Sequence, residues 1–301
     1  MRALVTGSTG FTGRALVAHL RQHGVEVACV SAAAPRPGVE AADFSDTDAL
    51  LALLQRLRPT HILHLSGALD TPNLSTALSA NALHGAALLD AVQRSSLDVR
   101  TLLVGSAAEY GPLGGSQLPA SEQLPAHPVT PYGCAKLAQT HLALASGLPV
   151  VVVRPSNIVG PGMPKSLAIG RFAAALAEIA RGQAPPVLRV GDLAAIRDFI
   201  DVQDAARLYW DLLNAPAATR QVVNVATGIG VSMEAVLTQL IDAFEVDVEV
   251  VQDQAGSARS GSTSAFVADV SRLQALVGQQ RFTPLRHSVE QIAAHARLGA
   301  S

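Results

Sequence analysis

The stretch MRALVTGSTGFTG, Met1 to Gly13, decides the fold of this chain. Its apolar run at residues 3–5 has the length of a buried strand, and an amphipathic helical pattern begins directly after Gly13. Between them Gly7, Gly10 and Gly13 stand three residues apart. In such a unit the first glycine permits a tight turn, the second lets the backbone approach a pyrophosphate, and the third lets helix and strand pack closely. Because the helix N-terminus also offers free N–H groups and a partial positive charge, the stretch predicts a dinucleotide site.

The composition of the chain argues against several other classes of protein. Of its 301 residues, 49% are hydrophobic and 15% are charged, so we expect a folded core. The formal net charge of −2 gives no electrostatic reason to bind nucleic acid or an anionic membrane surface. No apolar stretch has the length of a membrane span, and we expect no signal peptide because the first strand begins at the N-terminus.

Cysteine and histidine usage predicts a cytoplasmic protein without a metal site. Cys29 and Cys134 lie far apart in the sequence and belong to no metal-binding or redox motif, which is typical of a reducing compartment. The nine histidines are scattered, and we assign them to surface or core positions.

Strand-like and helical patterns alternate through the first half of the chain. Strands are predicted at 25–30, 62–65, 101–104, 150–153 and 222–225, and helices at 48–57, 76–93, 131–145 and 289–296. The alternation predicts an α/β fold: a doubly wound parallel sheet, the Rossmann arrangement, with a smaller, interleaved C-terminal substrate lobe. We assign residues 1–155, with a return segment at about 192–228, to the dinucleotide-binding domain. Residues 156–191 and 229–301 are assigned to the smaller lobe.

The end of the second predicted strand bears on the choice of dinucleotide. An acidic residue there usually binds the adenosine ribose of NAD, but this strand ends at Ser31 with no carboxylate. Arg36 lies just beyond and suits a 2′-phosphate, although a solvated loop residue is the alternative interpretation. The sequence therefore favours NADP(H), with NAD(H) as the alternative.

The glycine spacing resembles that of a known family. The form TGxxGFxG, from Thr6 to Gly13, is similar to the extended short-chain dehydrogenase/reductases, the NAD-dependent epimerase/dehydratase family. Asp43-Phe44, the HLSGA segment at 64–68 and Asn81 resemble further cofactor segments of that family, and for Asp43 a capping role near a helix stays open. The predicted cofactor contacts are Gly7, Thr9, Gly10, Phe11, Thr12, Gly13, Ser31, Arg36, Asp43, Phe44, Leu65, Ser66, Gly67, Asn81, Tyr132, Lys136 and Pro155.

Three polar residues form a candidate catalytic set. Tyr132 and Lys136 stand four apart on a predicted helix, hence on one face, and Ser106 follows the strand at 101–104. A tyrosine pKa of ~10 is high for a proton donor at neutral pH. A neighbouring ammonium lowers that pKa and should make proton transfer by the tyrosine easier. We predict that Ser106 hydrogen-bonds the substrate oxygen, Tyr132 transfers the proton, and Lys136 lowers the pKa of Tyr132 and contacts the nicotinamide ribose.

The segment after that strand argues against one branch of the family. GSAAEYG, at 105–111, resembles the SSxxxYG stretch of its nucleotide-sugar enzymes, in which 4,6-dehydratases carry an Asp-Glu pair. Those two positions are Ala107 and Ala108 here, which leaves elimination without its acid and base. Glu109, on a strand-like path, is expected to face away, while Asp98 and Glu122 stay open as substitutes.

The second half of the chain carries the candidate substrate contacts. Residues 154–162 resemble the RPxNxxGPG segment, and 190–204 resemble a segment of the GDP-6-deoxy-4-keto-mannose reductases. The resemblance to these reductases runs from Met1 to about Arg297 and departs after Val251, which leaves a GDP or dTDP base open. It implies substrate contacts from Ser106, Ala107, Asn157, Arg171, Arg197 and Arg259. Each arginine alone is also interpretable as a surface charge, and as a set they suit a diphosphate.

Together these features predict an NAD(P)H-dependent enzyme that reduces the C4 ketone of a nucleotide-activated 4-keto-6-deoxyhexose. The alternatives are a nucleotide-sugar 4-epimerase with tightly bound NAD, a reductase of a non-nucleotide ketone or aldehyde, and a non-catalytic NAD(P)-binding protein. The resemblance also implies a homodimer that pairs the helices at 76–93 and 131–145.

Overall fold

The computed structural model of the chain describes residues 1–32, 36–71, 73–252 and 265–299. Its strands are β1 Arg2–Thr6, β2 Glu26–Ser31, β3 Val39–Ala41, β4 His61–His64, β5 Arg100–Val104, β6 Val150–Pro155, β7 Asn157–Val159, β8 Val187–Val190, β9 Ile196–Asp201, β10 Val222–Val225, β11 Gly230–Ser232 and β12 Glu249–Gln252. Its α-helices are α1 Phe11–Gln22, α2 Thr47–Leu57, α3 Leu74–Leu78, α4 His84–Ser95, α5 Pro131–Ala145, α6 Ala168–Ala180, α7 Val202–Asn214, α8 Met233–Phe244, α9 Ser271–Val277 and α10 Leu285–Arg297.

The main sheet has the predicted doubly wound form. Within the described residues it contains seven strands in the order β10-β6-β5-β4-β1-β2-β3, and every neighbouring pair is parallel. The order reverses between β1 and β4, and ligands of such sheets bind beyond the carboxyl ends of the strands at that point. This confirms the predicted fold class and places the glycine turn after β1 next to the loop after β4.

The faces of the sheet are covered by helices, so its strands are apolar on both sides. Alternate residues of β1 serve the two layers: Ala3 and Val5 belong to the core with α1 and α7, whereas Leu4 belongs to the core with α2 and α4. All six residues of β6 are buried. The sheet edge above these strands is therefore held on a rigid, close-packed base.

A second core lies in the C-terminal half. There α6, α8 and α10 pack together around Phe172, Leu176, Leu240 and Ile292, beside the three-stranded sheet β11-β9-β7 and the pair β12-β8. Strand β10 pairs with β6 at the edge of the main sheet, and α7 packs against α1. By contrast β9, inside the predicted return segment, pairs with β7 and β11. The domain boundaries given above stay a prediction.

The predicted helix at 76–93 is interrupted. The structure has α3, a π-helical turn at Ser79–Leu83 and then α4. The buried Asn81 lies in this turn, and its side-chain amide donates to the carbonyls of Ala77 (3.0 Å) and Ala68 (2.8 Å). Such π-turns are frequent at functional sites, and this one directs Asn81 toward the loop after β4. Among the described helices, none has the length and apolar character needed to cross a membrane.

Candidate active site

The glycine turn between β1 and α1 has the shape that a pyrophosphate requires. Gly7 has a φ of +66°, and a Cβ on Gly13 would lie 2.1 Å from the Gly7 carbonyl oxygen. Gly10 caps α1 without a side-chain hydrogen bond, so the first N–H groups of the helix have no side-chain cap. Thr9 belongs to the same turn, and Phe11 and Thr12 are the first residues of α1. This backbone cradle fits the phosphates of a dinucleotide.

The end of β2 carries the residues predicted to choose the cofactor. Ser31 is buried at the last position of the strand, and Arg36 is exposed in a turn whose backbone pairs with Val39. The Asp43 carboxylate accepts hydrogen bonds from the backbone and hydroxyl of Ser45, which lower its pKa. Asp46, not Asp43, caps α2, so Asp43 does not cap this helix.

The loop after β4 joins the cofactor side to the catalytic helix. Leu65 and Ser66 hydrogen-bond through their N–H groups to the main chain and the hydroxyl of Thr6. The Asn81 Oδ1 atom accepts from the N–H of Ala68 at 3.0 Å. A Cβ on Gly67 would lie 2.6 Å from that same oxygen and 3.1 Å from the Lys136 Nζ, so glycine allows this close approach. The aromatic ring of Phe44 is buried behind the loop, with its centroid 6.1 Å from that of His64.

The structure brings together the three predicted catalytic residues. Helix α5 starts with a Thr130 cap and Pro131, and it presents Tyr132 and Lys136 toward the end of β5. The Ser106 side chain lies near the Tyr132 phenol and lowers the pKa of that phenol. Ser106 Oγ also accepts from the N–H of Ala108 at 3.1 Å, which leaves its hydroxyl hydrogen available for donation.

Lys136 is buried, and two hydrogen bonds hold its ammonium group. Its side chain is 3% exposed, and Nζ donates to the carbonyl of Val104 (2.8 Å) and to Gln139 Oε1 (3.1 Å). Burial lowers the pKa of Lys136 to about 8, against the charge of Glu109, which raises it. Burial raises the pKa of Tyr132, against the Ser106 side chain, which lowers it. Desolvation dominates at this phenol, and the role of Lys136 in lowering its pKa stays a prediction.

The strand-like path predicted for the chain at Glu109 was wrong. The chain at Ala107–Glu109 is a 3₁₀ turn and not a strand-like path, so the side chain turns inward. Its carboxylate is fully buried and pairs with Arg154 Nε at 2.9 Å. It also accepts from the N–H of Ser106 and the hydroxyl of Thr140. This carboxylate thus lies under the catalytic loop.

The structure answers the open question of dehydratase carboxylates. Ala107 and Ala108 start the 3₁₀ turn, and Asp98 is exposed before β5, at the opposite end of that strand from Ser106. Glu122 accepts from the backbone N–H of Asn224 and lies 3.7 Å from Arg272, so its charge is used inside the fold.

In the described part of the chain, no three Asp, Glu, His or Cys side chains form a metal-binding group.

The predicted substrate contacts of the second half of the chain lie on separate elements. The Asn157 side chain on β7 donates to the Asp198 carbonyl at 3.1 Å. Pro155, a predicted cofactor contact, ends β6 as a buried residue. Arg197 is half-buried and donates to the Ile196 carbonyl. Arg259 lies outside the described residues.

Arg171 borders a groove that sequence reasoning missed. The groove has a volume of about 490 Å³ and lies between α6 and β8. Its other residues include Phe172, Pro185, Leu188 and Arg189. No motif marks Arg189; it joins Arg171 only because β8 folds beside α6. Two guanidinium groups beside an apolar floor suit an anion attached to a planar ring.

The fold, the glycine cradle and the Ser-Tyr-Lys set define a nicotinamide-dinucleotide enzyme class. The profile of the NAD dependent epimerase/dehydratase family matches residues 3–226, and the chain belongs to this family. It binds NAD(P), as the family does.

Within this family, the chain is similar to several individual proteins that act on deoxysugar nucleotides by name or bind NADPH. GDP-6-deoxy-D-mannose reductase from Pseudomonas aeruginosa is 33% identical over 267 residues, which cover 86% of this chain and 85% of that protein. dTDP-6-deoxy-L-talose 4-dehydrogenase (NAD(P)(+)) from Kitasatospora kifunensis is 32% identical over 97% of this chain and 94% of that protein. The structure of RMD from Pseudomonas aeruginosa complexed with NADPH superposes with a TM-score of 0.89, at 29% identity and 99% coverage of both chains.

Proposed function

We propose that this chain reduces the C4 ketone of a nucleotide-activated 4-keto-6-deoxyhexose with NADPH. The observation that carries the proposal is the placement of the Ser106 side chain near the Tyr132 phenol, on the helix of the buried Lys136, with alanines at the two dehydratase positions. Relatives named as a 6-deoxymannose reductase and a 6-deoxytalose 4-dehydrogenase support it.

The proposed mechanism uses two hydroxyl groups on one carbonyl oxygen. Ser106 donates a hydrogen bond to this oxygen, since its Oγ already accepts from Ala108 and its own hydrogen is free. Tyr132 transfers its proton to the oxygen as negative charge develops there. The chemistry that a nicotinamide dinucleotide would supply when bound in the glycine cradle is hydride transfer to the carbonyl carbon. Lys136, held at the Val104 carbonyl, provides the positive charge that stabilises the phenolate left on Tyr132.

NADP(H) is the proposed cofactor over NAD(H). Ser31 takes the position where an acidic side chain would repel a 2′-phosphate, and Arg36 is exposed in the next turn. We expect Arg36→Ala to raise KM for NADPH by about tenfold and to leave KM for NADH within about twofold. Equal changes for the two cofactors would remove this assignment.

The groove of Arg171 and Arg189 is the proposed site for the nucleoside diphosphate. Both guanidinium groups lie at its border, and the exposed Pro185 and Val187 give it an apolar surface for a base. The chemistry suits GDP or dTDP equally, so both bases belong in the assay.

The experiment that tests the function is NADPH oxidation with GDP- and dTDP-4-keto-6-deoxyhexose. We expect turnover with at least one of them, and no turnover with the matching 4-hydroxy sugar. A folded protein that oxidises NADPH with neither ketone would refute the proposal. A purified protein that carries NAD and interconverts 4-hydroxy sugars without net redox change would be an epimerase.

We also propose that the protein is a cytoplasmic homodimer. Leu74, Leu78, Leu83 and Leu142 are exposed on α3, the π-turn and α5, and α3 packs against α5. Cys29 and Cys134 are free thiols, which supports a reducing compartment. Sedimentation at micromolar concentration is expected to give a dimer, and Leu74→Lys with Leu78→Lys to give a monomer. A monomeric wild-type protein would contradict this assignment.

A further inference from the structure

Glu109 is a buried carboxylate with partners on three separate elements. Its Oε1 atom accepts from the backbone N–H of Ser106 at 2.9 Å. Its Oε2 atom accepts from Thr140 Oγ1 on α5 at 3.0 Å and from Arg154 Nε on β6 at 2.9 Å. The carboxylate therefore links the loop of Ser106 to the helix that carries Tyr132.

The backbone beside Glu109 is shaped around this carboxylate. A Cβ on Gly105 would lie 2.3 Å from Glu109 Oε1 and 3.0 Å from the Val153 carbonyl oxygen. Glycine at this position thus leaves the space that the carboxylate occupies. The Arg154 guanidinium also lies over the ring of Tyr110, 4.7 Å from its centroid, so the cation has two contacts that fix it.

We propose that Glu109 is a positioning residue, anchored by Arg154, that holds the Ser106 hydroxyl against Tyr132. It acts on the reaction through Ser106, whose N–H it binds, and it does not touch the reacting atoms. A hydroxyl that must meet a transition state needs its backbone fixed, since small displacements cost rate. The catalytic role of the Glu109–Ser106 contact rests on the proposed function. The hydrogen bond itself is observed independently of that function.

The negative charge of Glu109 affects the pKa of both Tyr132 and Lys136. It raises the pKa of Tyr132 and that of Lys136 and so favours their protonated forms. The other groups that face them are Ser106 and Tyr209 for the phenol, and His64 for the ammonium. Removal of the charge is therefore expected to move the Tyr132 titration to lower pH.

The titration of Tyr132 can be followed without substrate or dinucleotide. The chain has three tyrosines, and burial raises the pKa of both Tyr110 and Tyr209, which are fully buried. The first phenolate absorbance step in the near ultraviolet is then assigned to Tyr132 by its loss in Tyr132→Phe. In the wild-type background, Ser106→Ala removes a hydroxyl that lowers the pKa of Tyr132, so the step should move to higher pH by about 0.5 to 1 unit.

The decisive test is a double-mutant cycle on this titration. In Glu109→Met with Arg154→Met, the buried pair is replaced by apolar side chains of similar length, a change that folds tolerate better than a broken pair. We expect Ser106→Ala to shift the Tyr132 step by less than about 0.2 unit in that background, because Ser106 is no longer held. Glu109→Gln is the matched control: it keeps an oxygen for the Ser106 N–H, so the step should start at lower pH and still respond to Ser106→Ala.

An equal response to Ser106→Ala in the wild type and the double variant would overturn the proposal. The double variant carries the test alone if Glu109→Gln does not fold. With active wild-type enzyme, the double variant is also expected to lose about tenfold in kcat with KM within about twofold. A wild-type protein without turnover would refute the proposed function and leave the titration cycle to decide the role of Glu109.

Discussion

The catalytic edge of the main sheet and the groove of the second core treat their charged groups in opposite ways. At the sheet edge Lys136, Glu109 and Arg154 are buried, and each has hydrogen-bond partners at defined distances. In the groove Arg171 is exposed. A buried charge is costly unless paired, but it keeps its geometry and its altered pKa. An exposed arginine costs the fold little and stays free to meet an anion. The comparison teaches that buried, paired charges can fix the geometry beside Ser106 and Tyr132, whereas the exposed arginines of the groove are available to an anion.

The largest difference between the two regions is expected in stability. Arg154→Met leaves Glu109 as an unpaired buried carboxylate, so the free energy of unfolding should fall by about 3–5 kcal/mol. Arg171→Ala should change it by less than about 0.5 kcal/mol. Urea denaturation of both variants measures this. A loss below about 1 kcal/mol for Arg154→Met would show that the pair does not stabilise the sheet edge.

The next effect concerns the chemical step. Tyr132→Phe removes the proposed proton donor and should lower kcat at least ~100-fold, or about 2.7 kcal/mol in activation free energy, with little change in KM. A variant within a few-fold of the wild type would remove Tyr132 from the mechanism.

A smaller effect is expected in the groove, and it concerns KM and not kcat. Arg171→Ala and Arg189→Ala should each raise KM for the nucleotide sugar by about tenfold, since each removes one charge-assisted contact to a phosphate, and kcat should stay within about twofold. Arg181→Ala is the matched control, because Arg181 ends α6 and bonds Gln183 and Ala296. A fall in kcat without a change in KM would place the groove outside substrate binding.

The smallest effect is a pH dependence set by Lys136. Since burial lowers its pKa to about 8, kcat/KM should decline as the pH rises through about 8, as the ammonium is lost. The stability effect has the opposite sign: between pH 8 and 10.5 the unfolded chain binds more protons at this lysine than the folded chain does, so the group adds stability as the pH rises. The free energy of unfolding, measured over the same pH range, therefore distinguishes a loss of activity at high pH from a loss of stability. A flat kcat/KM up to about pH 10 would show that the ammonium is not required.

The sequence predicts the parts of this comparison that depend on local spacing. The glycine turn and the pair Tyr132–Lys136 follow from spacings of three and four residues, which fix a turn and a helix face without knowledge of the rest of the chain. The parallel sheet follows in the same way from the alternation of short apolar runs and amphipathic segments.

The contacts that depend on distant segments could not be predicted. Glu109 looked like a residue of a strand, but its capping contact with Ser106 tightens the chain into a 3₁₀ turn. Its partners Thr140 and Arg154 lie 31 and 45 residues further along the chain. The π-turn at Asn81 likewise depends on the loop after β4, and the groove depends on β8 lying beside α6.

The central claim is that Ser106 and Tyr132, both half-buried, serve the reduction of a C4 ketone. It is tested most directly with NADPH deuterated at the transferring carbon and a nucleotide-linked 4-keto-6-deoxyhexose, with the product analysed by NMR. The account predicts one deuterium at C4 of a 4-hydroxy sugar with the wild-type enzyme, and almost none in the same time with Tyr132→Phe. A product without deuterium at C4, or equal labelling by the two proteins, would contradict it.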